Sequence, residues 1–369
     1  MFLIRFAFIF SLTACALFLS DGYAVEPEKK KSRVVILEDP SLVSRFSIDS
    51  VRAAQAFNRA FLAFTKSSTV EAGWRTLVQP QDIIGIKIVA PGNPIMASNR
   101  AVLEAVVDGL KKAGVKPSNI IIWDKFADQM MASGYIPTES AEDWQLRAVL
   151  PDSGFDGKKF YFNEVAGKLI WGDYEFVGVT QIANLAASAV EKEKTESGDL
   201  PVPDQISNRS FFAKIVTQQV TKIINLAVMT DHHDLGIYGA SASLAMSSVD
   251  NTRRFLMPQV RGDPAVGEIL NHEALKDKVV LHVMTGLIAQ FAGGPAFHPH
   301  YAQSPGLLLI SRDPVALDTL ALERLEEWRK EKVVPPIGED AKHLKAAASL
   351  GAGTNDKKQM EIVKLPVAP

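Results

Sequence analysis

The chain has 369 residues, of which 47% are hydrophobic and 22% charged, enough for one large domain or two of average size. A net charge of −2, with Lys and Arg scattered rather than clustered, excludes the basic surface of a nucleic-acid-binding protein. No repeat of 20 to 50 residues stands out, which excludes a solenoid.

In chain order, Arg5 is followed by the apolar run "FAFIFSLTACALFLS" (6–20) and by "GYA" (22–24), with small residues where a signal peptidase cuts. Residues 1–24 therefore read as a signal peptide, and the protein as exported, periplasmic or secreted. The apolar run is short for a membrane span, which needs about 20 residues, so no span is expected after cleavage. "LTAC" (12–15) also fits a lipoprotein box, which would anchor the chain through a lipid on Cys15, although the residues after Cys15 stay apolar. Cys15 is the single cysteine. Its removal leaves no disulfide, no thiol nucleophile and no cysteine-ligated iron–sulfur cluster.

"RVVILE" (33–38) reads as a buried strand and "SVRAAQAFNRAFLAFTKS" (50–67) as an amphipathic helix. "DIIGIKIVA" (82–90) is continuous, β-branched and free of proline, the pattern of a central strand. A helix over 101–114 and a strand over 119–124 then complete a parallel crossover unit. "KKFYFNEV" and "KLIWGDYEFVGV" (158–179) suggest antiparallel strands, and the charged, proline-punctuated 190–205 a linker or surface loop.

The second half restarts the pattern, with a helix over 210–220, a strand over 221–229 and a small-residue helix over 236–249. Strands at 278–288 and 306–311 follow, and then a helix at 313–331 opened by Asp313 as cap and Pro314 at its first position. The expected class is α/β, a largely parallel sheet with helices on both faces, with two α/β lobes as an open variant. The halves would be 25–189 and 206–350, followed by a loosely held polar tail at 351–369.

Ligands of open α/β sheets bind beyond the carboxyl ends of the strands. Four loops qualify: Pro91 to Arg100 with Asn93, Asp124-Lys125, Met229 to Asp234, and Arg312-Asp313. Helix caps belong at the same places, so polarity there proves nothing alone. The cluster Asp231-His232-His233-Asp234 has two readings. Either an aspartate caps a helix starting near Gly236, or a helix N-terminus keeps an imidazole neutral for proton transfer or metal ligation, with Asp231 and Asp234 orienting it.

His298 and His300 flank Pro299 in "GGPAFHPH" (293–300), and an extended segment would set both rings on one side. With His232 they would make a three-histidine set for a divalent metal. His272, His282 and His343 are isolated and read as structural, Asp318 lies one turn into its helix, and Arg253-Arg254 is an anion site or an exposed basic pair. Walker, G-x-G-x-x-G, G-x-S-x-G and H-E-x-x-H motifs are absent, so nucleotide binding and serine hydrolysis lack support.

Four stretches, "IIGIKIVAPGNP" with the following "NRAVLEAVVDGLKKAGV", "IIIWDK", "TKIINLAVMTDHHDLGIYGA" and "SPGLLLISRDPVALDTLAL", resemble the domain-of-unknown-function family 362, often found beside iron–sulfur modules. They span residues 82 to 322. The resemblance implies an α/β fold and a histidine at the central loop, here His232 with Gly236 four residues on; it implies no settled activity. The cysteine-rich additions of iron–sulfur members are missing here. The central motif is also remotely similar to the histidine-glycine loop of nickel-pincer lactate racemases, but Ala242 stands where a cofactor-holding lysine would be.

The expectation is an exported enzyme of unknown cofactor acting on a small molecule. Its site would hold His232, His233, Asp231 and Asp234, with Asn93, Asp124, Lys125 and Arg312 lining the crevice. The alternatives are a non-catalytic periplasmic protein binding a small ligand or metal, and a partner-binding scaffold.

Overall fold

The computed structural model describes residues 31–136, 144–150, 153–168 and 206–367. The segments read as signal peptide and linker, 1–24 and 190–205, lie outside these residues. So does the end of the expected antiparallel pair, from 169 onward.

Fourteen strands are described. They are β1 (Ser32–Glu38), β2 (Val43–Ser44), β3 (Ser47–Ile48), β4 (Ile84–Ile88), β5 (Ile120–Asp124), β6 (Gln145–Ala148) and β7 (Phe155–Lys168). The second half supplies β8 (Ile206–Ala213), β9 (Lys222–His232), β10 (Gly236–Ile237), β11 (Val279–Gln290), β12 (Ala302–Gln303), β13 (Leu307–Ser311) and β14 (Met360–Leu365). The helices are α1 (Ser50–Thr65), α2 (Val70–Arg75), α3 (Arg100–Lys112), α4 (Ala127–Ala132), α5 (Ser241–Ser248), α6 (Ala265–Asn271), α7 (Pro314–Glu331) and α8 (Lys342–Ser349).

The main sheet has the order β14-β1-β13-β11-β9-β4-β5-β6, with β10 on β9 and β12 on β11. Strands β13, β11 and β9 of the second half lie between β1 and β4 of the first, so the described residues from Lys31 onward form one compact unit with a shared sheet. The pairs β14/β1, β11/β9, β9/β4, β4/β5 and β5/β6 are parallel. β13 runs antiparallel to both its neighbours, β1 and β11.

The two-residue period of a strand divides the core. Ile84, Ile86 and Ile88 of β4 pack with Phe57 and Phe61 of α1, Trp74 of α2 and Leu103 of α3. On the opposite face, Ile223 and Trp123 meet Leu244 and Ala245 of α5 and Ile269 of α6, while Met284 and Leu309 meet α7 and α8. Lys87, out of phase with the β4 isoleucines, therefore points beneath α5.

Three expectations are corrected. Residues 206–213 are a strand, β8, paired antiparallel with β7, and only 215–219 turn helically. The helix after the histidine pair begins at Ser241 rather than Gly236, because Gly236-Ile237 first folds back on Asp231-His232 as β10. The polar tail is not loose: β14 pairs residue by residue with β1, and Met360 is buried in the core. A mixed polar–apolar pattern is what an edge strand carries, and without its partner it reads as a tail.

Candidate functional site

The carboxyl ends of β4, β5 and β9 open onto one crevice of about 850 Å³, whose walls include Asp124, Lys125, His232, His233, Tyr238 and Ser247. A parallel sheet with diverging loops creates such a crevice at this edge. The loop after β4 is pinned by Ser98, whose hydroxyl accepts from Val89 N at 2.8 Å and donates to Leu226 O at 2.5 Å.

Asp124 ends β5 and organises the crevice floor. One carboxylate oxygen accepts from Ala90 N at 2.9 Å; the other accepts from Lys125 N at 2.8 Å and from the Ser247 hydroxyl at 2.9 Å. The carboxylate thus ties the loops after β4 and β5 to α5. The Lys125 ammonium is 3.2 Å from the Thr252 hydroxyl and lies over the Phe126 ring.

The histidine pair is held by the hairpin into β10. His232 is nearly buried, its ring stacked between His233 (centroids 5.0 Å apart) and Tyr238 (5.5 Å). Its Nδ1 accepts from Asp234 N at 3.1 Å. An amide can only donate, so Nδ1 is unprotonated and the neutral ring carries its proton on Nε2. Burial, and then the neighbouring His233, lower the His232 pKa to about 4.

His233 has the opposite tautomer at Nδ1, which donates to Gly294 O at 3.2 Å because a carbonyl can only accept. Its Nε2 lies 2.9 Å from Asp234 Oδ2. Among the described residues, His232, His233 and Asp234 bring donor atoms within 4.8 Å of one another. The His233 tautomer leaves either an imidazolium–carboxylate pair or a nitrogen and an oxygen lone pair facing a shared cation. A separation of 2.9 Å suits neighbouring ligands at about 90° and about 2.1 Å from an octahedral metal. His232, with Nδ1 occupied and Nε2 protonated, presents a hydrogen-bond donor rather than a lone pair.

Asp231 meets the histidines through the Gly294 turn rather than by a direct side-chain contact. Strand alternation turns it to the other side, where Oδ1 accepts from Gly294 N at 2.9 Å and Oδ2 lies 3.8 Å from the Arg329 guanidinium. Burial raises its pKa against those contacts. Its role is to fasten the turn that supplies Gly294 O to His233.

Other expected residues fall elsewhere. Asn93 closes a local turn, accepting from Ile95 N at 2.8 Å, and is outside the crevice lining. Arg312 is exposed at the opposite edge of the sheet, because β13 is antiparallel and its carboxyl end coincides with the amino ends of its neighbours. The Arg312-Asp313 loop is there a helix start, Asp313 accepting from Ala316 N at 2.9 Å. His298 and His300 are exposed, and Pro299–Tyr301 is a 3₁₀ turn rather than an extended segment, so alternation does not apply to them. Neither lines the crevice or joins the donor cluster of His232. Arg253 does line the crevice, whereas Arg254 is buried and donates to Ser210 Oγ at 2.9 Å. His282 lies on β11 against the Asn225 amide at 3.1 Å, and burial lowers its pKa to about 3.

Helix α5 carries Ser247 to the crevice, and its N-terminus is capped from outside. Asp318 of α7 accepts from Ala240 N at 2.5 Å, Ser241 N at 2.8 Å and the Ser241 hydroxyl. The capping aspartate expected near Gly236 is therefore replaced by one some eighty positions away.

Lys87, Tyr238 and Ser247 were not singled out from the sequence. Lys87 is fully buried, its Nζ 3.8 Å from Asp124 Oδ1 and 5.8 Å above the centre of the Tyr238 ring. The signal for it was present: one cation inside the otherwise apolar "IIGIKIVA". Burial lowers its pKa while Asp124 opposes that shift.

Fold and site together define an α/β protein with a single large, mostly parallel sheet and a polar crevice of histidine, lysine and aspartate at its carboxyl edge. The model of a domain of unknown function, DUF362, matches residues 83–323, and the chain belongs to that family. No curated protein matches. One solved structure with some similarity is a crystal structure of a Thermotoga maritima protein. It is 7% identical with a TM-score of 0.39, the alignment covering 83% of this chain and 60% of that one.

Proposed function

We propose that the protein is an exported enzyme that acts on a small molecule in the crevice, with His232 as a neutral hydrogen-bond donor that polarises a ligand oxygen. The observation that carries this reading is the fixed tautomer of His232. A neutral imidazole with its proton on Nε2 lines a crevice that also presents Lys125 and Arg253. The cations suit an anionic group on the ligand, and the neutral imidazole suits a ligand oxygen on which negative charge develops, to which its N–H would donate. Export rests on the signal-like residues 1–24. Among the described residues no helix is long and apolar enough to cross a membrane.

The test is a thermal-shift screen of small carboxylates, followed by turnover assays on those that bind. Turnover lost in His232→Asn with binding retained supports the enzyme. Binding without turnover of any ligand supports the non-catalytic alternative. Cell fractionation of the native protein tests export.

A second reading, a divalent cation, is favoured by the 2.9 Å approach of His233 Nε2 to Asp234 Oδ2. Two protein ligands would leave coordination positions open toward the crevice, where the ion would polarise a ligand oxygen. Elemental analysis of protein from its native compartment, compared with a His233→Ala variant, tests it. Equal metal content in the two refutes it.

A further inference from the structure

The loop after β4 serves two cavities. Its first residues line the crevice, and its later part, from Pro94 to Arg100, lines a second cavity of about 440 Å³ that shares no lining residue with the crevice. That size falls within the range of about 300–1,000 Å³ usual for small-molecule pockets. Much of the wall is aliphatic: Ala97 and, from β11, Leu287 and Ile288 are buried, while Ile48 and Ile95 are half-buried. Two exposed residues of α3 add both signs of charge, Arg100 and Glu104.

An ion pair one turn apart on a helix is common by itself. This one differs in how its cation is held. Arg100 is the first residue of α3, the end of a helix that disfavours a cation, so helix stability does not ask for it. Its guanidinium lies over the rings of Trp144, 5.2 Å from the centroid, and Tyr135, at 5.9 Å, and its Nε donates to Glu104 Oε1 at 2.9 Å. The Tyr135 ring is fixed in turn, its hydroxyl donating to Ser98 O. Nη1 and Nη2 make no hydrogen bond to the described residues and remain as a preset fork, the geometry that pairs with a carboxylate. Glu104 keeps Oε2 for a cation.

Another part of the wall is strained. Strands β2 and β3 join through Arg45-Phe46 alone, because Ser44 pairs with Ser47. Both turn residues have positive φ, 50° and 61°, which a two-residue hairpin demands and which Asn-Gly would supply without strain. Phe46 is nonetheless 37% exposed, its ring edge-on to Phe297 at 6.2 Å and part of the cavity wall. Backbone strain of this kind gathers where a side chain is used.

We propose that this cavity binds an apolar α-amino acid, with its carboxylate on the Arg100 fork, its ammonium on Glu104 and its side chain among Phe46, Ile48, Ile95 and Leu287. The charges decide between ligand classes. A carboxylate without an amine would bring a like charge to Glu104, and an amine without a carboxylate would bring one to Arg100. A group with both signs on neighbouring atoms satisfies each and leaves the aliphatic wall for an uncharged tail. The proposal does not depend on the reading of His232.

Isothermal titration calorimetry of the purified protein tests it, with leucine and with analogues that each lack one part: isocaproate the ammonium, isopentylamine the carboxylate, glycine the tail. Leucine is expected to bind, and each analogue to bind more weakly by about tenfold or more. Arg100→Gln should weaken leucine by about tenfold or more. Glu104→Gln should bring leucine down and isocaproate up toward a common affinity. Phe46→Gly, which suits the positive φ, should weaken leucine while the Tm holds or rises. Absence of leucine binding at about 10 mM overturns the proposal. So does equal affinity for leucine and isocaproate, and so does a leucine affinity unchanged in Arg100→Gln. Because His232 lines only the crevice, loss of leucine binding in His232→Asn would place the ligand there and overturn it as well.

Discussion

Asp318 links helix α7 to the N-terminus of α5 and hence to Ser247, and its charge state makes that link depend on pH. The carboxyl is fully buried, and desolvation raises its pKa from 3.8 to about 7 against the hydrogen bonds it accepts from Ala240 and Ser241. Protonated on Oδ2, it can still accept from Ala240 N on Oδ1 and from Ser241 N on Oδ2, and donate to the Ser241 hydroxyl, which turns to accept. Between pH 3.8 and about 7 the folded state holds a proton that the unfolded chain has released. Stability contributed here is therefore complete below the unfolded value and falls as pH rises through the window, by about 1.4 kcal/mol per unit. Over the full window the loss is about 4 kcal/mol, and above it the curve is flat.

Asp318→Asn removes the titration and orphans one donor, because its amide nitrogen faces Ser241 N or Ala240 N, at a cost of about 1–3 kcal/mol. The wild type is thus expected to be the more stable at about pH 4 and the variant to overtake it by about pH 8. Urea unfolding of both proteins across this range measures the difference, and differencing cancels the other titrating groups. The difference should swing by about 4 kcal/mol. A swing below about 1 kcal/mol would show that Asp318 is ionised in the fold throughout, and the reasoning would fail.

Other perturbations test the site and its frame. In Gly294→Ala a Cβ would lie 2.1 Å from Asp231 O, so the turn must move. The variant should lose about 3 kcal/mol or more in urea unfolding and weaken any ligand or metal held near His233. Deleting residues 360–369 removes β14 and the buried Met360, exposing the edge of β1. A fall in stability of at least about 3 kcal/mol, with aggregation, is expected, and an unchanged Tm would restore the reading of a loose tail. His298→Ala combined with His300→Ala should leave metal content and ligand binding as in the wild type, whereas His233→Ala should not. Equal losses in the two would mean that the 298–300 turn reaches the site after all.

The sequence by itself determined the elements whose signals are local. The isoleucine period of β4, the lysine-ended α3 and the Asp313-Pro314 start of α7 are written within a turn or two of chain, and their bounds are shifted by only a few residues. The address of His232 and Asp124 at the carboxyl ends of parallel strands was legible too, because strand–helix–strand order fixes direction. Direction failed as a guide at β13, where an antiparallel strand sends Arg312 to the far edge, and pairing alone reveals that. Tertiary structure also decided which neighbours do different work. Strand alternation separates Asp231 from His232, a backbone amide and a carbonyl give the adjacent histidines opposite tautomers, and Asp318 reaches α5 from a distant helix. Lys87 shows the limit most clearly. Its sequence context says only that a cation interrupts a buried strand, and it takes the packing of α5, Tyr238 and Asp124 around Nζ to turn that anomaly into part of a site.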